Sequence, residues 1–184
     1  MINKLFKTPL IAAFFYVTIL AACSEGQSGS QAVVSQCPIS TTAIASVQGN
    51  ATVSPMQGQQ VTVQGIVTLV QDDHGLYIEE PTSDADEHTS NAIFIQFADF
   101  PADVVQGSLI SARGEVSEIG KGRYSLTALT GVDQLTQCAP GLALPLTDVT
   151  LPLNGPGREA LEGMRIQIGD TLTVTDVYQF GRGK

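Results

Sequence analysis

From Gln60 to Gln137 apolar and polar residues alternate at period two, the signature of half-buried strands. Strand one spans Gln60 to Val70, with Val61, Val63, Val67 and Leu69 on one face beside Gly65. Asp72-Asp73-His74-Gly75 is a turn, and strand two runs from Leu76 to Glu80. A polar loop, Pro81 to Asn91, leads to strand three, Ala92 to Phe97. Asp99 to Gln106 connects to strand four, Ser108 to Ile119, with room for one short helical turn. Gly120-Lys121-Gly122 turns the chain into strand five, Arg123 to Leu129, and a short sixth piece, Val132 to Cys138, follows.

Two stretches echo each other. Gly58-Gln-Gln-Val61-Thr-Val-Gln-Gly65-Ile-Val67-Thr68 and Gly107-Ser-Leu-Ile110-Ser-Ala-Arg-Gly114-Glu-Val116-Ser117 repeat glycine, an aliphatic, glycine, then an aliphatic and a hydroxyl residue in register. A glycine inside a strand weakens it, so it marks a bulge or a tight bend at a barrel corner. Five main strands, the first and fourth bent at glycine, predict an all-β fold, a five-stranded Greek-key OB-like barrel over residues 37–138. A small β-sandwich is the alternative.

Outside the barrel the pattern changes. Ile44 to Gly49 reads as a short lead-in before a polar turn at Asn50. Ala139 to Pro156 carries four prolines and spaced leucines, an extended segment expected to lie over the barrel. Arg158 to Gly163 has room for one helical turn, and Met164 to Val177 alternates again through Ile166, Ile168, Leu172 and Val174. Residues 139–184 thus read as an extended or β segment leading to a domain that the chain does not reach.

The 184 residues suffice for one domain with a proper core. Acids outnumber bases 18 to 9. Lys4 and Lys7 fall in a predicted leader, so 7 bases face 18 acids in the mature part, a net charge of −11. Such a surface repels phosphate backbones and argues against duplex binding through a broad basic face.

Lys4 and Lys7 precede an uncharged, mostly apolar run from Pro9 to Ala22. Its fourteen residues are too few to span a bilayer and fit a secretory leader over residues 1–22. Leu20-Ala21-Ala22-Cys23 resembles a bacterial lipobox, which implies cleavage before Cys23 and lipid on its thiol and new amino group. The partner implied is a membrane, held through the lipid anchor, and Ser24 is compatible with the outer membrane or cell surface. The other reading is an ordinary signal peptide that leaves the protein secreted. Residues 23–36 read as a flexible Ser/Gly/Gln tether. With Cys23 assigned to lipid, Cys37 and Cys138 pair naturally in an oxidising compartment, against the alternative of two free buried thiols.

The order and spacing of several pieces carry a resemblance. Gln60-Val-Thr-Val-Gln-Gly-Ile-Val-Thr68, Gly75-Leu-Tyr-Ile-Glu-Glu-Pro81, Thr89-Ser-Asn-Ala-Ile-Phe-Ile95 and Gly107 to Ser117 resemble the N-terminal OB-like domain of large secreted bacterial nucleases. So do Leu161-Glu-Gly-Met164, Leu172-Thr-Val-Thr-Asp176, Tyr178 and Gly181-Arg182. The resemblance covers roughly Ile44 to Arg182. It implies a downstream domain of the endonuclease/exonuclease/phosphatase fold that hydrolyses phosphodiesters with a divalent metal, Mg²⁺ or Ca²⁺. Asn91 departs from the aspartate common there, and the chain stops before that domain would begin, so no catalytic residue carries over.

Two constellations within the chain have a chemical reading. Nine acids and no Lys or Arg lie between Gln71 and Asp103, and Asp84, Asp86 and Glu87 offer oxygens of the kind Ca²⁺ takes. They lack EF-hand spacing, which favours the plainer reading of a solvated acidic loop. Arg113, Lys121, Arg123 and Tyr124 surround the turn between strands four and five. OB folds grip single strands with cations and stacking aromatics, whereas a hairpin turn also carries Lys and Arg for solubility. His74 and His88 read as surface residues, and no nucleophile elbow or phosphate-cradling loop is legible.

These residues predict a non-catalytic OB-like module of a membrane-tethered nuclease. It would position single-stranded or extracellular nucleic acid, or brace its own downstream catalytic domain. The fragment itself needs no cofactor and is expected to be inactive as a hydrolase. The alternative is a stand-alone envelope lipoprotein that binds a protein or a glycan.

Overall fold

The computed structural model describes residues 37–38, 40–71, 74–101, 103–122 and 125–175. All of them fall in one compact unit. Cys23 and the tether lie outside the described residues, as do Arg123 and Tyr124. The barrel strands are β1 (Gln60–Gln71), β2 (Gly75–Glu79), β3 (Ala92–Gln96), β4 (Leu109–Ile119) and β5 (Leu126–Ala139). They close in the order β1-β2-β3-β5-β4. All pairs are antiparallel except β3 with β5, where Phe94 meets Ala128 and Ile95 meets Leu129. This is the Greek-key barrel of OB type.

The two echoing stretches turn out to be partners. β1 and β4 pair antiparallel so that Val61 faces Gly114, Val63 faces Ala112 and Gly65 faces Ile110. All six side-chain positions are buried. Each large residue meets a small one, so the inner wall keeps an even depth where the strands bend. The glycines also allow close approach from the other side. A Cβ on Gly65 would sit 3.0 Å from the Glu79 carbonyl oxygen, and one on Gly114 would sit 2.8 Å from that of Thr130. Leu76, Ile78, Ile93, Ile95 and Leu129 fill the interior, fully buried. Each such side chain contributes roughly 1.5–3 kcal/mol by leaving water.

Several boundaries differ from the pattern-based reading. The expected strands five and six are one strand, β5, which bulges at Gly131 (φ 56°) between the pairs Glu115–Thr130 and Arg113–Gln134. The glycine there bends a strand instead of ending it. Leu69 is 52% exposed and not on the face of Val67, because the β1–β2 register shifts between them. The short lead-in is a one-turn helix, α1 (Ile44–Gln48), whose Ile44 and Val47 enter the core. The β3–β4 connection holds turns among its described residues; Val104 is buried there, and Phe97 meets Phe100 edge-on at 5.8 Å.

α1 sits at the end of the barrel where β1, β3 and β5 begin and β2 and β4 finish. Its flanking Thr42 donates to the Thr62 carbonyl, and Gln48 Nε2 donates to that of Ala92. After β5 the chain crosses the barrel, with Leu142 N donating to the Gly107 carbonyl at 2.8 Å. It then forms β6 (Thr147–Val149), a helical turn α2 (Gly155–Glu159) and β7 (Ile166–Ile168), which pairs parallel with β6. Asn154 caps α2 by accepting from Gly157 N at 2.7 Å, with Pro156 in the first turn. The alternation expected through Leu172 and Val174 does not continue as a strand; they are 63% and 79% exposed.

Cys37 and Cys138 are joined as a disulfide, Cα atoms 5.4 Å apart and 101 positions apart in sequence. Reducing it frees a long loop and is expected to cost about 4 kcal/mol, read as a lower urea midpoint in dithiothreitol. Gly114→Ala drives a Cβ into a backbone oxygen that cannot swing away, and is expected to cost about 1–3 kcal/mol in the same assay.

Candidate functional site

The outer face formed by β2 and β3 is not left to solvent. Alternation sends Leu76 and Ile78 of β2 and Ile93 and Ile95 of β3 inward. Their neighbours Glu79, Ala92 and Phe94 point the other way, yet they are buried as well. Phe94 packs across Gly75, where an added Cβ would lie 2.3 Å from Cζ, and meets Tyr77 with ring centroids 4.9 Å apart. In OB barrels the β2–β3 face, with the β1–β2 and β4–β5 loops, is the surface that takes oligonucleotides and oligosaccharides.

Here the chain's own residues 161–165 occupy it. Gly163 lies flat on Tyr77: its φ is +70°, and a Cβ there would be 3.0 Å from Tyr77 Cδ1 and 3.5 Å from Ala92 Cβ. Only glycine reaches this closeness in this backbone conformation without strain. On either side of it the strap is pinned by hydrogen bonds. Ser90 Oγ donates to the Glu162 carbonyl at 2.6 Å, and Arg165 N donates to Glu79 Oε2 at 3.0 Å.

Carboxylates do most of this pinning. Glu80 Oε1 accepts from Ile44 N at 3.0 Å and fixes the start of α1. Glu118 Oε1 accepts from Ser54 N at 2.8 Å and from Thr127 Oγ1 at 2.9 Å. Glu162 Oε1 accepts from Thr127 N at 3.0 Å. Two carboxyl groups, from β4 and from the strap, therefore grip the same threonine at the start of β5. The second oxygen of Glu118, Oε2, is buried and has no hydrogen-bond partner among the described residues.

Burial disfavours the charged form of such groups. It pushes the Glu162 carboxyl up to about 7, with the Glu159 and Glu118 charges adding to it and the Thr127 N–H and Gln48 side chain opposing. It raises Glu79 and Glu80, each partly offset by the backbone N–H it accepts. Burial also raises the Tyr77 hydroxyl, and the negative charge of Glu162 adds to that. A cleft of about 670 Å³ opens beside Glu162, lined also by Asn50, Thr52, Pro156, Arg158 and Glu159.

The residues singled out from sequence are placed elsewhere. Arg113 lies in the middle of β4 and pairs with Asp133, Nη1 to Oδ2 2.6 Å, both half exposed. Lys121 is exposed at the β4–β5 turn, eight positions or roughly 26 Å of strand away, so the two cations form no common patch. Asp84 and Asp86 use their oxygens inside their own loop: Asp84 accepts from Asp86 N and Thr89 Oγ1, and Asp86 from His88 N and Nδ1. These bonds from His88 hold the Asp86 carboxyl below its ordinary range. Glu87 is exposed beside them, and among the described residues no three His, Cys, Asp or Glu side chains gather as a metal site. The covered face, though not the pins that hold the strap, had a sequence signal. Ala92-Ile93-Phe94-Ile95 is an unbroken apolar run, the mark of a strand covered on both faces.

Gly163→Ala is expected to cost about 1–2 kcal/mol. It should also speed tryptic cleavage after Arg158 and Arg165 severalfold while the barrel stays intact by circular dichroism.

No family model and no curated protein matches the chain. Among solved structures it is similar to the hypothetical protein ygiW from E. coli, at 19% identity and a TM-score of 0.31, over 44% of this chain and 76% of that one.

Proposed function

We propose that the barrel is the non-catalytic OB-like module of a membrane-tethered, secreted nuclease. Its task is to brace a downstream catalytic domain that uses Mg²⁺ or Ca²⁺, and gripping nucleic acid is not part of it. The observation that carries this choice is the strap: residues 161–165 fill the face an OB barrel would offer to an oligonucleotide. The pairing of Arg113 with Asp133 and the formal net charge of −9 act against phosphate binding in the same direction. The nuclease association rests on the ordered motifs from Gln60 to Arg182, and the tether on Cys23 and its leader. A strap that ties the C-terminal segment to a rigid barrel is a mount, and a mount is what a following domain needs.

A second reading has one observation in its favour. A cleft of about 700 Å³ lies between the acidic loop and the strap, with Val149, Leu153 and Met164 at its apolar floor and Asp86, Glu87 and Asp148 around it. A stand-alone lipoprotein would use such a cleft for a protein or a glycan.

Fluorescence anisotropy with labelled single-stranded DNA and RNA separates gripping from bracing. At about 50 mM salt the protein is expected to show no saturable binding tighter than about 100 μM, the weak end of non-specific association. Submicromolar binding would overturn the bracing reading. The gene beyond Lys184 is expected to encode a metal-dependent phosphodiesterase; a stop codon there removes the nuclease association.

A further inference from the structure

We infer that residues 155–168 form a lid over the β2–β3 face whose latch is the pair of carboxyl groups, Glu162 and Glu118, that meet at Thr127, and that loss of one proton from this pair opens it. The inference concerns the barrel and its strap alone and stands whatever domain they serve.

The geometry sets out the parts. Among the described residues the lid is tied to the barrel and α1 by Gly163 on Tyr77 and Ala92, Arg165 N on Glu79, the Glu162 carbonyl on Ser90, and the Glu162 carboxyl on Thr127 N and the Gln48 side chain. It is also held to the segment after β5 by β6–β7, a parallel pair of three residues each that is marginal by itself, and by Arg165, whose guanidinium donates to the Pro145 carbonyl and whose carbonyl accepts from Thr147 N. Of these contacts only the last two-carboxyl junction brings like groups together. Thr127 N serves Glu162 and Thr127 Oγ1 serves Glu118, while Glu118 Oε2 is buried and unpartnered. A protonated Glu162 lets both sit there with a single negative charge between them. A second charge at the same partly buried spot repels the first, and among the described residues no cation is bonded to it.

The groups around Glu162 are mostly unfavourable to its charge. Glu118 faces it from β4 and Tyr77 from β2, and Glu159 lies one turn before it on its own segment. Arg158 lines the same cleft, and neutral Gln48 and Thr127 approach from α1 and β5. Arg165, three positions on, sends its guanidinium to the Pro145 carbonyl at 3.3 Å, and its charge acts on Glu79. Burial and these neighbours raise the Glu162 carboxyl from its ordinary 4.5 to about 7. A carboxyl raised in the closed state holds a proton that the open state releases. Closure is therefore firmest below 4.5 and weakens as pH climbs from 4.5 to about 7, beyond which it weakens no further and the remaining bonds still keep the strap seated most of the time. What opens to solvent is the Tyr77–Phe94 ring pair, an aromatic surface of the kind on which OB barrels stack flat ligands.

Amide hydrogen exchange read by NMR tests this in the intact protein. Between about pH 5.5 and about pH 7.5, after correction for intrinsic exchange, the amides of Arg165 and Thr127 are expected to lose about tenfold in protection. The amides of Val63 and Ala112, in the centre of the barrel, are expected to change by less than about twofold and serve as the internal reference. Glu162→Gln keeps an oxygen for Thr127 N and cannot ionise, so its lid amides should show no such loss. Three outcomes overturn the inference: lid amides insensitive to pH, lid and barrel amides changing together, or the full loss persisting in E162Q. The first two are read in the wild-type protein and stay decisive even if the variant folds poorly.

Discussion

The architecture depends on one size-matched strand pair. β1 and β4 place Val61 against Gly114, Val63 against Ala112 and Gly65 against Ile110. Had the two strands carried large residues at matching depth, their side chains would collide at the bend. Had they carried small ones, the interior would hold a void. The repeated spacing of glycine and aliphatic makes the pair its own complement under an antiparallel flip. Everything else is arranged on that wall: β2 leans on Gly65, β5 bulges over Gly114, and α1 enters at one mouth.

The acidic composition has a structural use that charge counting hides. Glu79, Glu80 and Glu118 stand at one end of the barrel, and each takes a backbone N–H from a segment outside it; Glu162 returns the gesture to Thr127. Flanking segments of this chain have few large apolar residues with which to dock. At Glu79, Glu80 and Glu118 carboxylates accepting main-chain donors supply the attachment, since hydrogen bonds to a charged group are the stronger kind, whereas Glu162 holds best as the neutral acid. The same arrangement makes the attachment sensitive to solvent conditions, because desolvated carboxyl groups are easily protonated.

The barrel was legible in the sequence because its interior strands alternate cleanly and its turns carry glycine and asparagine. The closed order and the Cys37–Cys138 link follow that reading. What failed was local. Gly131 reads as a terminator but bends a strand that both β3 and β4 keep in place. Leu69 reads as core but is turned out by a register shift. The candidate site was poorly legible for a different reason. Arg113, Lys121, Asp84 and Asp86 were grouped by nearness in sequence, while the pins join positions 35 to 86 residues apart. No period or motif encodes such a contact; only the unbroken apolar run at Ala92 to Ile95 betrayed the covered face.

The sulfur bridge gives the barrel a mechanical bypass. Cys37 is where the described chain enters and Cys138 lies one residue before the end of β5. Tension applied between the segment ahead of Cys37 and the segment after Ala139 passes through two side chains and never along the hundred residues between them. A pull that would peel β1 from β4 in an unbridged barrel leaves this one slack. The fold can therefore sit in the middle of a stretched chain and keep its shape.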